Sequence, residues 1–215
     1  MTEDTDRRDT IVRYSAGERT NHWLVAISFV LLALSGLALF HPALFWLSNL
    51  FGGGTWTRIL HPFIGIVMAI AFGLLAAHMW SDNRMGERDW QWIRQFSEVV
   101  NNREANAPEV GRYNGGQKLL FFVQVLCVLG LLLSGIIMWR PYFAGYFPVG
   151  LARFAADVHA ICAFVLICAI IIHVYAGIWV KGSVRAMTHG TVTPGWAWKH
   201  HRAWFRDVIR RGQQP

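Results

Sequence analysis

Charged residues and paired cysteines are scarce in this sequence. Only 15% of the 215 residues are Asp, Glu, Lys or Arg, against about 25% in a soluble domain, whereas 54% are hydrophobic. This composition excludes an intrinsically disordered chain, and long uncharged runs argue against a water-soluble domain. The three cysteines form no C-x-x-C motif, so zinc knuckles, cysteine-bound iron–sulfur clusters and c-type haem attachment find no support.

Motifs for nucleotide binding and metal hydrolysis are also missing. The sequence contains no phosphate loop, no G-x-G-x-x-G after a strand and no H-E-x-x-H. No Asp or Glu lies deep inside an apolar run, since Asp157 stands at the edge of the fourth one. A proton pump or ion channel that works through intramembrane carboxylates is therefore not indicated.

Four long apolar runs dominate what is present. Each has about the 20 residues needed to cross the hydrocarbon core of a bilayer, where backbone polar groups must be satisfied within a helix. We predict an all-α fold, an integral membrane four-helix bundle that forms a single membrane domain over 1–215. The predicted spans are 21–40, 59–80, 118–139 and 155–180, with a polar loop at 81–117 and an amphipathic tail at 181–215.

The positive charges predict the orientation of the chain. Of the 20 Lys and Arg residues, 17 lie in the N-tail, the second loop and the C-tail, and 3 lie in the first and third loops. By the positive-inside rule, both termini face the cytoplasm. The net charge of +7 then reflects membrane topology and does not indicate nucleic-acid binding. Apolar residues near helical spacing in 89–100 and 196–209 predict helices that lie on the inner membrane surface or contact neighbouring loops.

Four of the nine histidines fall at matched depths in these spans. His159 and His173 are 14 residues apart on one face of the fourth span, which separates them by about 21 Å along the helix axis. His61 begins the second span on the outer side, and His22 begins the first span on the inner side. We therefore predict an outer pair, His61 with His159, and an inner pair, His22 with His173.

Two imidazoles facing each other at one depth suit the axial ligation of a b-type haem iron. Two such haems would form an electron path across the membrane. Small residues would let a flat macrocycle or a neighbouring backbone approach closely; these are Gly36, Gly65, Gly135 and Gly177. Three alternatives remain open from the residues alone: structural histidines, a His-lined transporter, and a metal-dependent enzyme built on His78, His189, His200 and His201.

Six long segments of the sequence also carry a resemblance to a known protein family. They are RDTIVRYSAGERTNHW (8–23), RILHPFIGIVM (58–68), GRYNGGQK (111–118), SGIIMWRPYFAGYFP (134–148), HVYAGIWVKGSVRAM (173–187) and WKHHRAWFRD (198–207). The chain resembles the gamma subunits of respiratory formate dehydrogenases, which are membrane cytochromes b. Hydrogenase and thiosulfate-reductase cytochromes share the four-helix plan but fewer of these sequence segments. A hydrogenase or another molybdoenzyme therefore remains an alternative as the upstream electron donor.

The resemblance implies specific site residues and cofactors. Its haem-ligand contexts NHW, ILHP, VHA and IHVY correspond to His22, His61, His159 and His173, the same four residues, as ligands of two b-type haems. Its YNxGQ motif implies a quinone site, for menaquinone or ubiquinone; the corresponding residues are Asn114, Gly116 and Gln117.

The resemblance also implies a setting for the chain. It implies an iron–sulfur beta subunit, an alpha subunit that oxidises formate with molybdenum or tungsten, a trimer of heterotrimers, and the bacterial inner membrane. This chain would then be the electron-transfer subunit of an oxidoreductase complex, with quinone reduction on this chain and formate oxidation on a partner.

Overall fold

The computed structural model describes residues 10–101 and 108–212. Arg7, Arg8 and Arg103, which contribute to the predicted charge bias, lie outside the described residues. The elements in chain order are β1 (Ile11–Val12), α1 (Ala16–Phe40), a 3-10 segment (Pro42–Phe51), α2 (Gly54–Met79), α3 (Glu87–Arg94), α4 (Phe96–Val100), α5 (Gly115–Met138), a 3-10 turn (Ala144–Tyr146), α6 (Val149–Trp179), α7 (Ser183–His189), β2 (Thr191–Val192), α8 (Pro194–His200) and α9 (Arg202–Arg210).

Four of these helices are long and apolar enough to cross a membrane. They are α1, α2, α5 and α6, with 25, 26, 24 and 31 residues. The prediction of an all-α membrane chain with four spanning helices is confirmed. At most 22% of the most apolar stretch of any of these helices is buried within the chain, so most of their apolar surface is left to lipid and to other molecules.

Two of the long helices, α1 and α5, begin before their apolar runs because polar residues cap them. At α1, Ser15 N–H donates to Glu18 Oε2 at 2.7 Å and Glu18 N–H donates to Ser15 Oγ at 3.2 Å. At α5, Asn114 and Gln117 make the same reciprocal pair of hydrogen bonds. Such a capping box satisfies backbone N–H groups that have no partner inside the helix, so each helix extends into polar sequence.

The described chain forms two compact units. The span unit contains residues 20–77 and 123–172, and the tail unit contains 10–19, 78–101, 108–122 and 173–212. Each of the four long helices contributes one end to the tail unit and the rest to the span unit. The predicted single domain over 1–215 stays a prediction.

The tail unit is organised around a short antiparallel ladder. Ile11 pairs with Val192 and Val12 pairs with Thr191, which joins two segments that lie about 180 residues apart in sequence. An apolar cluster forms beside the ladder from Ile11, Ala186, Val192, Ala197 and Val208, with Tyr14, Trp196, Trp204 and Phe205 packed against it.

The apolar face of the C-terminal tail turns towards this cluster. Trp196, Trp204, Phe205 and Val208 therefore contact the tail unit itself, which is the second of the two interpretations of this segment. The segment also divides into α8 and α9, with a non-helical residue, His201, between them. In the second loop, Trp92 is buried and Phe96 is 53% exposed, and the side chains of Val99 and Val100 lie outside the described set.

A buried polar network fixes the tail unit. The His201 ring bonds through Nδ1 to the carbonyl oxygen of Gly111 at 2.8 Å, and its Nε2 lies 3.3 Å from Arg13 Nη2. Arg13 also donates to the carbonyl oxygen of Arg112 at 2.6 Å, and Arg112 donates back to the carbonyl oxygen of Arg13 at 3.0 Å. The Arg13 guanidinium lies 4.7 Å from the Trp204 ring centre and 5.0 Å from that of Trp196, distances at which cation–π attraction is effective.

Candidate functional site

His61 and His159 face each other within the span unit. His61 lies on α2 and His159 on α6, and their ring centres are 6.3 Å apart with an interplanar angle of 58°. Both side chains are half-buried. The structure therefore brings together the two members of the predicted outer pair from separate helices.

A serine on a neighbouring helix holds each of these rings. Ser35 Oγ on α1 lies 2.8 Å from His61 Nδ1, and Ser134 Oγ on α5 lies 2.9 Å from His159 Nδ1. Both serines are almost completely buried. The two histidines thus have the same type of hydrogen-bond partner at the same ring nitrogen.

The proton on each ring can be assigned from these hydrogen bonds. Ser35 donates its only hydroxyl proton to the carbonyl oxygen of Leu31 at 2.7 Å, and Ser134 donates its own to that of Gly130 at 2.6 Å. Each serine oxygen must therefore accept a hydrogen bond from Nδ1–H of its histidine. In the neutral imidazole this leaves the lone pair on Nε2, which is the nitrogen able to bind a metal.

A glycine follows each serine and leaves room for the ring. A Cβ added at Gly36 would lie 3.4 Å from His61 Cε1, and one added at Gly135 would lie 3.5 Å from His159 Cε1. Both distances are close to ordinary van der Waals contact. The backbone of α1 and α5 therefore passes directly beside the two imidazoles. The same arrangement of serine, glycine and histidine ring therefore occurs twice within the span unit.

This geometry fits an iron held between two imidazoles. Two metal–imidazole bonds of about 2 Å each, added to the distances from the two nitrogens to their ring centres, require a separation of about 6 Å. The 6.3 Å between the ring centres matches that requirement. Neutral imidazole is a common ligand of haem iron, so the donor set fits as well as the spacing.

The inner pair lies in two different units. His22 is half-buried on α1 in the span unit, and His173 is exposed on α6 in the tail unit. The ring of His22 makes an edge contact with Trp23, with 5.6 Å between the ring centres. The pairing of His22 with His173 stays a prediction.

The predicted quinone residues all take part in starting α5. Asn114 Oδ1 accepts from Gln117 N–H at 2.8 Å, and Gln117 Oε1 accepts from Asn114 N–H at 3.0 Å. Gly116 lies against α3, since an added Cβ would come within 2.9 Å of Trp92 Cζ3. The two caps use only the amide oxygens, and each side-chain NH2 group remains chemically a donor for a ligand.

The two cations that flank these amides in sequence, Arg112 and Lys118, have acidic partners. Lys118 donates to Asp89 Oδ2 at 2.8 Å, and Arg112 donates to Asp82 at 3.1 Å and to Glu18 at 3.2 Å. His78, a residue of the alternative metal site, lies with its Nε2 3.2 Å from Glu18 Oε1 and has a side chain that is 63% exposed. The start of α5 is thus bordered by ion pairs within the tail unit.

The alternative metal site finds no support in the part of the chain that the structure describes. No group of three His, Cys, Asp or Glu side chains able to hold a metal ion occurs among residues 10–101 and 108–212. His201, one of the four histidines of that alternative, is only 3% exposed, and its ring is hydrogen-bonded to the carbonyl oxygen of Gly111. The sequence does not predict this burial, because two adjacent histidines between Lys199 and Arg202 give no local sign of it.

Sequence reasoning also missed Ser35 and Ser134. A serine in an apolar run predicts close helix packing or a bond to its own backbone, and neither indicates a histidine partner. A usable signal existed: both serines stand in the same L-S-G string, each 20 residues after a capping residue, Ser15 or Asn114.

Comparison with known proteins identifies the family of the chain. A family model described as prokaryotic cytochrome b561 matches residues 13–190. The chain is 45% identical over 202 residues to the formate dehydrogenase cytochrome b556(fdo) subunit of Escherichia coli K12, covering 94% of this chain and 95% of the relative. It is 41% identical to the nitrate-inducible formate dehydrogenase cytochrome b556(Fdn) subunit of the same organism, covering 92% of this chain and 91% of the relative.

A third relative comes from another organism. The formate dehydrogenase cytochrome b556 subunit of Haemophilus influenzae is 39% identical over 199 residues, which is 93% of this chain and 84% of that relative. A cytochrome b family implies a b-type haem, for which the facing imidazoles of His61 and His159 are suitable ligands. The chain belongs to the prokaryotic cytochrome b561 family, among the cytochrome b subunits of formate dehydrogenases.

Proposed function

We propose that this protein is a di-haem cytochrome b that carries electrons from an iron–sulfur partner across the bacterial inner membrane to quinone, in a formate dehydrogenase complex. The main observation behind the proposal is that the rings of His61 and His159 face each other with their centres 6.3 Å apart. The Nδ1 atom of each ring is also hydrogen-bonded to a serine. Haem bound between imidazoles supplies one-electron transfer.

Two pairs of histidines would hold the two haems. His61 and His159 would be the axial ligands of the outer haem. His22 and His173 would be those of the inner haem, on the argument that the first and fourth spans place them at one depth. The 14 residues between His159 and His173 correspond to about 21 Å along α6, so the two levels are far enough apart for two separate haems.

Asn114, Gly116 and Gln117 would form the quinone site at the start of α5. The NH2 group of Asn114 would donate a hydrogen bond to a quinone oxygen while its oxygen keeps the helix cap. Gly116 would hold the backbone close to Trp92 and so fix where the two amides stand. The exposed ring of His173 lies in the same tail unit as this segment.

The sidedness follows from the distribution of positive charge. With 17 Lys and Arg residues in the tails and second loop, both termini and the start of α5 would face the cytoplasm. Quinone reduction there would take its two protons from the cytoplasm, while electrons arrive from the outer side. Inward electron movement and inner proton uptake together build membrane potential.

The relatives are named as subunits of formate dehydrogenases, which supports other subunits of such a complex as partners. An iron–sulfur beta subunit would deliver electrons at the outer haem, and an alpha subunit with molybdenum or tungsten would oxidise formate. The assembly would be a trimer of such heterotrimers. Formate chemistry would then occur entirely on the alpha subunit.

A test uses the intact complex isolated in detergent. We expect a reduced-minus-oxidised b-haem spectrum and quinol formation driven by formate. His159→Ala should remove one haem and stop quinol formation, while formate oxidation with an artificial dye as acceptor persists. The exposed His189 provides the matched control, since His189→Ala should change neither haem content nor rate. Retention of both haems in His159→Ala would contradict the proposal.

A further inference from the structure

The contact between serine and histidine occurs twice in the span unit, in a repeated arrangement. Ser35 on α1 meets His61 on α2, and 26 residues separate them; Ser134 on α5 meets His159 on α6, and 25 residues separate them. Each serine is followed by a glycine that contacts the same ring. The two helix pairs, α1 with α2 and α5 with α6, thus place their imidazoles facing each other. Each imidazole has the same contacts with a serine and a glycine.

From this arrangement we infer that Ser35 and Ser134 are positioning residues of the outer haem, which fix the tautomer of its two axial histidines and lower its reduction potential. The inference rests on the proposed function for the identity of that haem. Because each hydroxyl proton goes to a backbone carbonyl, each serine oxygen accepts from Nδ1–H and directs the lone pair of Nε2 to the iron.

The effect on potential follows from the direction of the hydrogen bond. An acceptor at Nδ1–H makes the imidazole a stronger electron donor, since it draws the proton away from the ring. A stronger donor stabilises the oxidised iron over the reduced iron, so the potential falls. The serine bonds are buried, so water does not compete for the same N–H group.

The two serines act alike because their surroundings are alike. Ser35 is 0% exposed and Ser134 is 3% exposed, and each also bonds a carbonyl four residues earlier in its own helix. That second bond fixes the hydroxyl in one rotamer, so the acceptor lone pair stays aimed at the ring. A serine with a packing role alone would need no contact with a histidine nitrogen.

The experiment is a potentiometric titration of the haems in the intact complex. The wave of the outer haem is identified as the one missing from His159→Ala. We expect Ser134→Ala and Ser35→Ala each to raise the reduced-to-oxidised ratio of that haem by about threefold to tenfold at a fixed ambient potential, where tenfold corresponds to 59 mV for one electron. The wave of the inner haem should not move, and the double variant should shift further than either single variant.

Two further variants separate positioning from packing. Ser28→Ala removes another buried serine from α1 and should leave both waves in place. Ser134→Thr keeps a hydroxyl and should restore the wild-type potential. If an alanine variant instead loses the outer haem, recovery of that haem in Ser134→Thr supports the inference and failure to recover it overturns the inference.

The results also distinguish the inference from the proposed function. Two haems per chain with an unmoved outer wave in both alanine variants would overturn the role of the serines and leave the di-haem function intact. A wild-type complex with a single haem, or with none, would overturn the proposed function itself.

Discussion

Asn114 and Gln117 hydrogen-bond to each other's backbone at the start of α5, at 2.8 Å and 3.0 Å. This gives the Asn114 amide two separable parts. Its oxygen caps a membrane helix, and its NH2 group is the proposed donor to quinone. The two parts can be tested one at a time, because serine reproduces the cap without the amide donor.

Asn114→Ser should therefore separate quinone chemistry from helix stability. Serine accepts the hydrogen bond from Gln117 N–H as well as asparagine does, so the melting temperature should stay near that of the wild type. Loss of the donor should slow formate-driven quinol formation about tenfold, the cost of one hydrogen bond in the upper part of the usual range. Thermal unfolding and steady-state rates measure the two effects.

Asn114→Ala and Ser15→Ala complete this comparison. Asn114→Ala should both slow quinol formation and lower the free energy of unfolding by about 1 kcal/mol. Ser15→Ala, which removes the cap of α1, should lower the free energy of unfolding by about 1 kcal/mol and leave the rate unchanged. A full rate of quinol formation in Asn114→Ser would show that the amide does not bind quinone.

The contact between Gly116 and Trp92 predicts a steric effect. A methyl group at Gly116 would lie 2.9 Å from Trp92 Cζ3, so Gly116→Ala should destabilise the protein by about 1–3 kcal/mol. Gly73 on α2 has no side-chain or distant backbone atom within 4 Å of an added Cβ, so Gly73→Ala should not lower the melting temperature. The unfolding transition in detergent measures both.

Trp92→Phe tests whether the steric account is correct. Phenylalanine lacks the Cζ3 atom, so combining Trp92→Phe with Gly116→Ala should cost less than the two single costs together. Strict additivity of the two costs would mean that Gly116 acts through something other than this ring.

Burial of His201 predicts a loss of stability in acid. Burial, together with the charge of Arg13, lowers the pKa of His201 from 6.5 to about 3. Between these values the unfolded chain binds a proton that the folded chain does not, so stability is complete above pH 6.5 and falls as the pH drops towards 3. At pH 5 the loss should be about 2 kcal/mol.

His201→Gln is the variant that isolates this titration. Glutamine can still donate to the carbonyl of Gly111 and accept from Arg13 but has no proton to gain, so melting temperatures at pH 5 and pH 7 should differ less than in the wild type. The exposed His189 gives the control, and His189→Gln should keep the wild-type dependence. An unchanged pH dependence in His201→Gln would assign the acid sensitivity to other groups.

The sequence predicted the spanning helices and the proximity of His61 and His159 because both depend on position along an apolar run. Hydropathy detects the lipid-facing stretch, and helix rise converts residue number into depth. It did not predict where α1 and α5 begin, since Ser15 and Asn114 are polar capping residues outside those stretches.

The features that escaped prediction depend on residues far apart in the chain. The ladder of Ile11 with Val192 needs two strands of two residues each, too short for any periodic pattern. The burial of His201 depends on Arg13 and Gly111, which lie 188 and 90 residues away. The role of Ser35 and Ser134 depends on their hydrogen bonds to histidine rings on other helices, α2 and α6.

The most direct test of the central claim counts haem per chain in double histidine variants. With wild type holding two, His61→Ala combined with His159→Ala should retain one, because both changes affect the same haem. His22→Ala combined with His61→Ala should retain none, because each change removes a different haem. A cross-pair variant that keeps one haem, or a within-pair variant that loses both, would contradict two stacked pairs of axial ligands.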